Sequence, residues 1–177
     1  DHCIRTWFFV QNVDVNYAGV VKGRNDVFVT QNLTDKTHFI ASTGIAGRHA
    51  DPKVMVTMDT YAIDGVKPEQ VHHLYAPTHL NRTSEYGVSF ERGTYVDYGD
   101  RRHVFISGTA SINNKGEVVH AGDIRQQTRR MWENVETLLA EAGCTFDDAA
   151  HLIVYLRDIA DYAVVRQMYE ERFPTHP

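Results

Sequence analysis

The chain of 177 residues is poor in cysteine, with only Cys3 and Cys144. Two cysteines cannot build a disulfide framework, and neither belongs to a zinc-type pair. No apolar run approaches the roughly 20 residues that a membrane helix needs, so no membrane partner is expected. The glycine patterns of phosphate loops and dinucleotide-binding turns are missing. Basic residues are outnumbered, 18 Lys and Arg against 23 Asp and Glu, which leaves a formal net charge of −5. That balance disfavours non-specific nucleic-acid binding, and no nucleic-acid partner is expected. The opening residues do not read as a charged-then-apolar secretory segment. With so little cysteine, the expected compartment is the cytoplasm. Two sequons, Asn32-Leu33-Thr34 and Asn81-Arg82-Thr83, are of a kind that arises often by chance.

Large side chains are well represented, with two Trp, nine Tyr and eight Phe, and 42% of residues are hydrophobic. This composition suits a globular protein of one domain, or of two small ones. Residues 123–143 carry one apolar stripe through Ile124, Met131, Val135, Leu138, Leu139 and Ala142. The spacing predicts a helix, with Asp123 as its cap and Gly143 just past its end. Arg125, Arg129, Arg130, Glu133 and Glu136 fall on the opposite face, which reads as solvated. The run 149–158 is short, apolar and partly β-branched, and predicts a buried strand. Asp161 then opens a helix striped by Tyr162, Val165, Tyr169 and Phe173 and closed by Pro174.

The start of the chain echoes its end. Residues 1–13 align with 147–159, and 17–28 with 162–173, pairing Tyr17 with Tyr162, Val20 with Val165 and Phe28 with Phe173. Strand-then-helix therefore occurs twice, as a tandem repeat. Residues 37–43 and 53–63 read as strands after the first helix. No counterparts follow Phe173, so the chain is expected to be a piece of a longer parent. Residues 64–88 show little periodicity and read as a connection, with His72, His73 and His79 as loop histidines. Residues 89–98 and 102–112 read as strands around a turn at Gly99-Asp100.

Several motifs in this order resemble the YjgF/RidA (Rid, endoribonuclease L-PSP) family. They are Ile106-Ser107-Gly108, Gly116-Glu117-Val118, Gln126-Gln127-Thr128, Asn134, Ala142-Gly143 and Tyr155-Leu156-Arg157-Asp158. Tyr86-Gly87, Phe90-Glu91-Arg92-Gly93 and Ser107-Gly108-Thr109-Ala110-Ser111-Ile112 are similar to the chorismatase branch, which also has two Rid-like halves. The resemblance implies an α+β fold, Rid/YjgF-like (chorismate-mutase-like), in which two helices pack on one face of a mixed β-sheet. It further implies a homotrimer or pseudo-trimer with ligand clefts between modules. The expected modules are 1–63, the later part of a first Rid-like unit, and 89–177, a second unit without its final strands.

The chemistry implied by the family is hydrolysis of an enol ether or an imine on a small anionic metabolite, without a cofactor or metal. Such a site needs a cation for a carboxylate, and arginine suits that geometry. Arg92 matches the chorismatase pattern and shares a strand face with Phe90. It is either the carboxylate anchor or an exposed arginine on an edge strand. Tyr86 and Phe90 are candidate binding residues beside it. Ser107, Gly108 and Thr109 end a strand, where Gly108 would let a ligand approach and the hydroxyls would bind it; the alternative is a strand-end bulge with locally bonded hydroxyls. Asp59, mid-strand in 53–63, is either a general acid or part of a half-exposed strand face. The family deaminases carry a substrate-binding arginine that Ser42-Thr43-Gly44 does not supply. That departure motivates the alternative of a non-catalytic metabolite-binding protein; RNA cleavage is a third reading, opposed by the acidic charge.

Overall fold

The computed structural model describes residues 3–175, so the outermost residues of the expected modules, 1, 2, 176 and 177, lie outside the described residues. The chain forms two compact units, one of Asp1–Tyr75 with Arg82–Gly108, the other of Ala76–Asn81 with Thr109–Pro177.

In the first unit, β1 (Cys3–Val10) is followed by α1 (Val13–Thr30), β2 (Ala41–Ala46) and β3 (Val56–Ala62). The strand order is β2-β1-β3, with β1–β2 parallel and β1–β3 antiparallel, so the sheet is mixed as expected. The near-continuous apolar run of β1 suits its central place, with Ile4 and Val10 buried. At the edge, most of β3 is exposed. Asn12 opens α1 in the left-handed region at φ 47, which Asn tolerates better than most residues. Only Val21 and Arg24 of α1 are buried, while Val15, Val27 and Val29 are exposed. This helix is therefore positioned by its β1–α1–β2 crossover more than by an apolar stripe.

The second sheet of this unit is β4-β5-β6, all antiparallel, formed by β4 (Val71–Leu74), β5 (Gly93–Asp97) and β6 (Arg102–Ile106). The segment 64–88 is thus not a featureless connection. His72 and His73 lie on β4 opposite Tyr95 and Thr94, rather than in a loop. The expected strands 89–98 and 102–112 are trimmed to β5 and β6.

The second unit holds α2 (Ile124–Glu141) and α3 (Tyr162–Arg172). The Asp123 carboxylate accepts from the Gln126 N–H at 3.0 Å, as its cap position requires. Gly143, at φ 72, ends the helix with Cys144 N–H on Leu139 C=O (2.8 Å) and Gly143 N–H on Ala140 C=O (3.0 Å), a Schellman closure. Leu138, Leu139 and Ala142 are buried as expected. Arg130 departs from the solvated face: its guanidinium donates to the carbonyls of Ile112 (3.0 Å) and His79 (3.2 Å). On α3, Val165, Met168 and Phe173 are buried, but Tyr162 is exposed. Phe173 meets Trp132 and Phe146 edge-on, at 5.9 and 5.0 Å between ring centroids.

The strand expected at 149–158 does not form. Residues 150–156 lie in neither a helix nor a strand, and they make no backbone hydrogen bond among the described residues. Its apparent repeat, β1, is a strand because β2 and β3 flank it, whereas no strand among the described residues pairs with 150–156.

Fully buried Asn134 ties α2 to the preceding loop by donating to the carbonyls of Ala110 (3.0 Å) and Ile112 (3.1 Å). Asn134→Ala leaves Ala110 C=O without that donor and weakens the hold on Ile112, and is expected to cost about 1–3 kcal/mol in urea unfolding. Asn134→Asp, acceptor-only when ionised, is expected to cost more.

Candidate active site

The segment 83–92 of the first unit builds the site. Thr83–Tyr86 form one turn of 3-10 helix that ends at Gly87, which takes φ 81, a value glycine adopts without a side-chain penalty. The buried Thr83 hydroxyl donates to the Phe90 carbonyl and fixes the return of the chain. Ser89, Phe90, Glu91 and Arg92 then lead into β5.

Arg92 is 4% exposed, so it is not an exposed edge-strand arginine. Its guanidinium carbon stands 5.5 Å from the Tyr86 ring centroid and 5.4 Å from that of Phe90. Both contacts have cation–π geometry. Burial lowers the Arg92 pKa, and the Tyr86 hydroxyl, hydrogen-bonded to it, opposes that shift. The same burial raises the Tyr86 pKa. Arg92 remains a cation throughout the ordinary pH range.

A small open recess of about 20 Å³ lies here, room for about one water. Thr37, Phe39, Arg82, Thr83, Phe90, Glu91 and Arg92 contribute to its wall. Glu91 is buried, and its Oε1 accepts from the Phe39 N–H at 2.8 Å. Burial raises its pKa, opposed by that N–H and by the charges of Arg82 and His38. Arg82 extends across the Tyr75 ring, 4.7 Å from its centroid.

Tyr86, Phe90 and Arg92 are therefore brought together. The Ser107 hydroxyl donates to the Glu91 carbonyl and accepts from the Ser42 N–H (2.9 Å), a structural use that matches the locally bonded alternative. A methyl group on Gly108 would stand 3.0 Å from Thr43 Cγ2, so this glycine permits a close chain approach. Thr109 belongs to the second unit. Asp59 is exposed on edge strand β3, opposite Trp7, and does not line the recess.

Glu91 went unassigned in the sequence, although it sits inside the motif that singled out Arg92. Its signal was a carboxylate between an aromatic and an arginine at the start of a strand. The histidines also gain a structural context. His38 stacks on His73 with centroids 4.6 Å apart, and His73 Nδ1 lies 3.3 Å from Thr94 Oγ1. No group of three metal-ligating side chains occurs among the described residues.

His73 is pushed down to about 4, first by burial and then by the charges of His38 and His72. The folded protein therefore binds fewer protons at this site than the unfolded chain between pH 6.5 and about 4. Stability is expected to fall as pH drops through that window, by at most about 1.4 kcal/mol per pH unit from this group. Urea titrations of wild type and His73→Gln across that range check it: the variant should show a shallower slope.

Residues 90–177 match the family model described as Endoribonuclease L-PSP. Over 71 residues the chain is 38% identical to 3-aminoacrylate deaminase RutC of Acinetobacter baylyi, covering 40% of this chain and 56% of that protein. Similar segments of RutC family proteins from Pyrococcus abyssi (39% over 71 residues; 40% and 55% covered) and Pyrococcus horikoshii (41% over 71 residues; 40% and 56%) also match. The chain thus spans about half the length of the curated relatives it matches. A crystal structure of a chorismatase superposes with a TM-score of 0.79 at 23% identity, over 96% of this chain and 55% of that one. At that identity the likeness is one of fold. Residues 90–177 are thus similar to the YjgF/RidA (endoribonuclease L-PSP) superfamily, and the fold of the chain is chorismatase-like.

Proposed function

We propose that the protein is a Rid-superfamily hydrolase that takes a small carboxylate metabolite at Arg92. The observation that carries this reading is the Arg92 guanidinium, buried between Tyr86 and Phe90 at a recess that also holds the buried carboxyl of Glu91. A buried guanidinium presents paired donors to a carboxylate in surroundings where each hydrogen bond is stronger than in water. The favoured reaction is hydrolysis of an enol ether. Protonation of the terminal alkene carbon gives an oxocarbenium ion, water adds to it, and the alcohol leaves as the 2-oxo acid forms. Glu91 is the proposed proton donor in place of Asp59, because its burial favours the protonated carboxyl. Water and these side chains suffice for the step. Ser107 and Gly108 shape the chain beside Glu91.

A second reading, hydrolysis of an imine or enamine, is favoured by the similarity to the deaminase from Acinetobacter baylyi. The two-module organisation, 1–63 and 89–177, and a homotrimeric or pseudo-trimeric assembly belong to the same proposal. A binding protein without catalysis is the remaining alternative.

Pyruvate release from chorismate and ammonia release from freshly generated 2-imino acids, measured on the intact protein, separate these readings. Pyruvate is expected. Arg92→Ala should lower kcat/KM by about 100-fold or more, as expected for loss of a charge-assisted pair. Glu91→Gln keeps an acceptor for the Phe39 N–H but removes the acid, so kcat should drop by about 10²–10⁴ with the fold retained. Ammonia without pyruvate would favour the second reading. Ligand-induced thermal stabilisation with neither product would favour the binding protein.

A further inference from the structure

Glu91 is linked through one residue to a pair of stacked histidines. The Phe39 N–H donates to Glu91 Oε1 at 2.8 Å, and the Phe39 carbonyl accepts from His38 Nδ1 at 3.0 Å. A carbonyl only accepts, so Nδ1 of His38 carries the ring proton and Nε2 is the nitrogen that takes up a second one. The Ile40 carbonyl accepts from the Glu91 N–H at 3.2 Å, so segment 38–40 grips Glu91 by side chain and backbone together. Thr37 and Phe39 contribute to the wall of the recess. His38, between them, instead stacks on His73 of β4, with ring centroids 4.6 Å apart and planes at 17°.

The neighbours of the stack decide which ring carries charge. His73 lies against Thr94 of β5, and the two charges that act on it are those of His38 across the stack and His72 on its own strand. Burial and these like charges keep a proton off His73 down to about 4. His38 is therefore the ring of the pair that is open to charging. It faces His73 on one side, and its charge acts on Glu91 on the other; Arg82 is the further cation acting on that carboxyl.

We propose that His38 is a positioning residue for Glu91: held by His73 and by Phe39, it keeps a chargeable ring beside the carboxyl and so sets the pH range in which Glu91 is a competent acid. This rests on the reading of Glu91 as the proton donor. With His38 neutral, the buried carboxyl keeps its proton and can give it to the substrate. A proton on His38 Nε2 stabilises the carboxylate and withdraws the acid. The two groups thus titrate as a pair, in the interval where imidazole changes its charge. His73 acts only as the ring that seats His38.

The test is the pH profile of kcat/KM for pyruvate release from chorismate, with the intact protein and its His38→Phe, His38→Lys and His73→Ala variants. His38→Phe keeps a ring on His73 but never carries charge, so the alkaline limb should move up by about one pH unit. His38→Lys holds a lasting charge there and should move the limb down by about as much. His73→Ala unseats His38 and should move it in the same direction as His38→Phe. Loss of packing alone would lower activity at every pH with the limb unmoved, or shift the Phe and Lys variants alike; either result overturns the proposal. Titration of the Glu91 carboxyl carbon by NMR, without substrate, gives the same comparison independently of turnover. Opposite displacements in the two His38 variants are expected there as well. If they occur while no pyruvate forms, His38 governs the carboxyl and the reading of Glu91 as the acid is what fails. Pyruvate release with the carboxyl unmoved in both variants would keep Glu91 and reject His38.

Discussion

Glu91 joins the two sheets of the first unit. Its N–H donates to the Ile40 carbonyl at 3.2 Å, its carbonyl accepts from Ser107, and its carboxyl accepts from Phe39. It also forms an isolated parallel bridge with Ala41, the first residue of β2. The Ser107 hydroxyl extends this joint to Ser42 N–H, and the Gly108 N–H reaches the Ser42 carbonyl at 3.3 Å. One residue thus satisfies the backbone N–H of Phe39 and the carbonyl of Ile40 and accepts from the Ser107 hydroxyl as well. Arg92 follows Glu91 directly, so the proposed chemistry sits where the two sheets of the unit are joined.

Three guanidinium groups are buried in this unit, although the chain carries net negative charge. Arg5 lies 4.6 Å from the Trp7 ring centroid and donates to the Thr6 and Ile106 carbonyls and to Thr43. Arg24 and Arg92 are likewise flanked by aromatic rings. Aromatic faces stabilise a cation without neutralising it. The interior of the unit is therefore locally positive beneath an acidic exterior.

How much of this was legible depended on whether each feature was local. The α2 helix was readable because its stripe, its Asp123 cap and its Gly143 closure all lie within one stretch of sequence. The mixed sheet and Arg92 followed from motif resemblance. The strand at 149–158 was misread because a strand is a relation between segments, and apolar β-branched residues supply only one partner. β4 was missed because four residues, two of them His, show too little alternation to count. Asp59 drew notice as a mid-strand carboxylate, and the structure places it exposed on edge strand β3. Arg24 was invisible for the opposite reason: a charge on a helix is normally solvated, and only the packing of Phe8, Phe28 and Ser89 reveals that this one is not.

The unpaired stretch between Ala150 and Leu156 affects how the molecule behaves in a crowded solution. Ile153 is 53% exposed, and Val154 and Tyr155 are exposed as well. Its backbone groups make no backbone hydrogen bond among the described residues. Short, uncharged, β-branched windows of this type are templates for cross-β association. Arg157 and Asp158 immediately downstream are the gatekeepers against it.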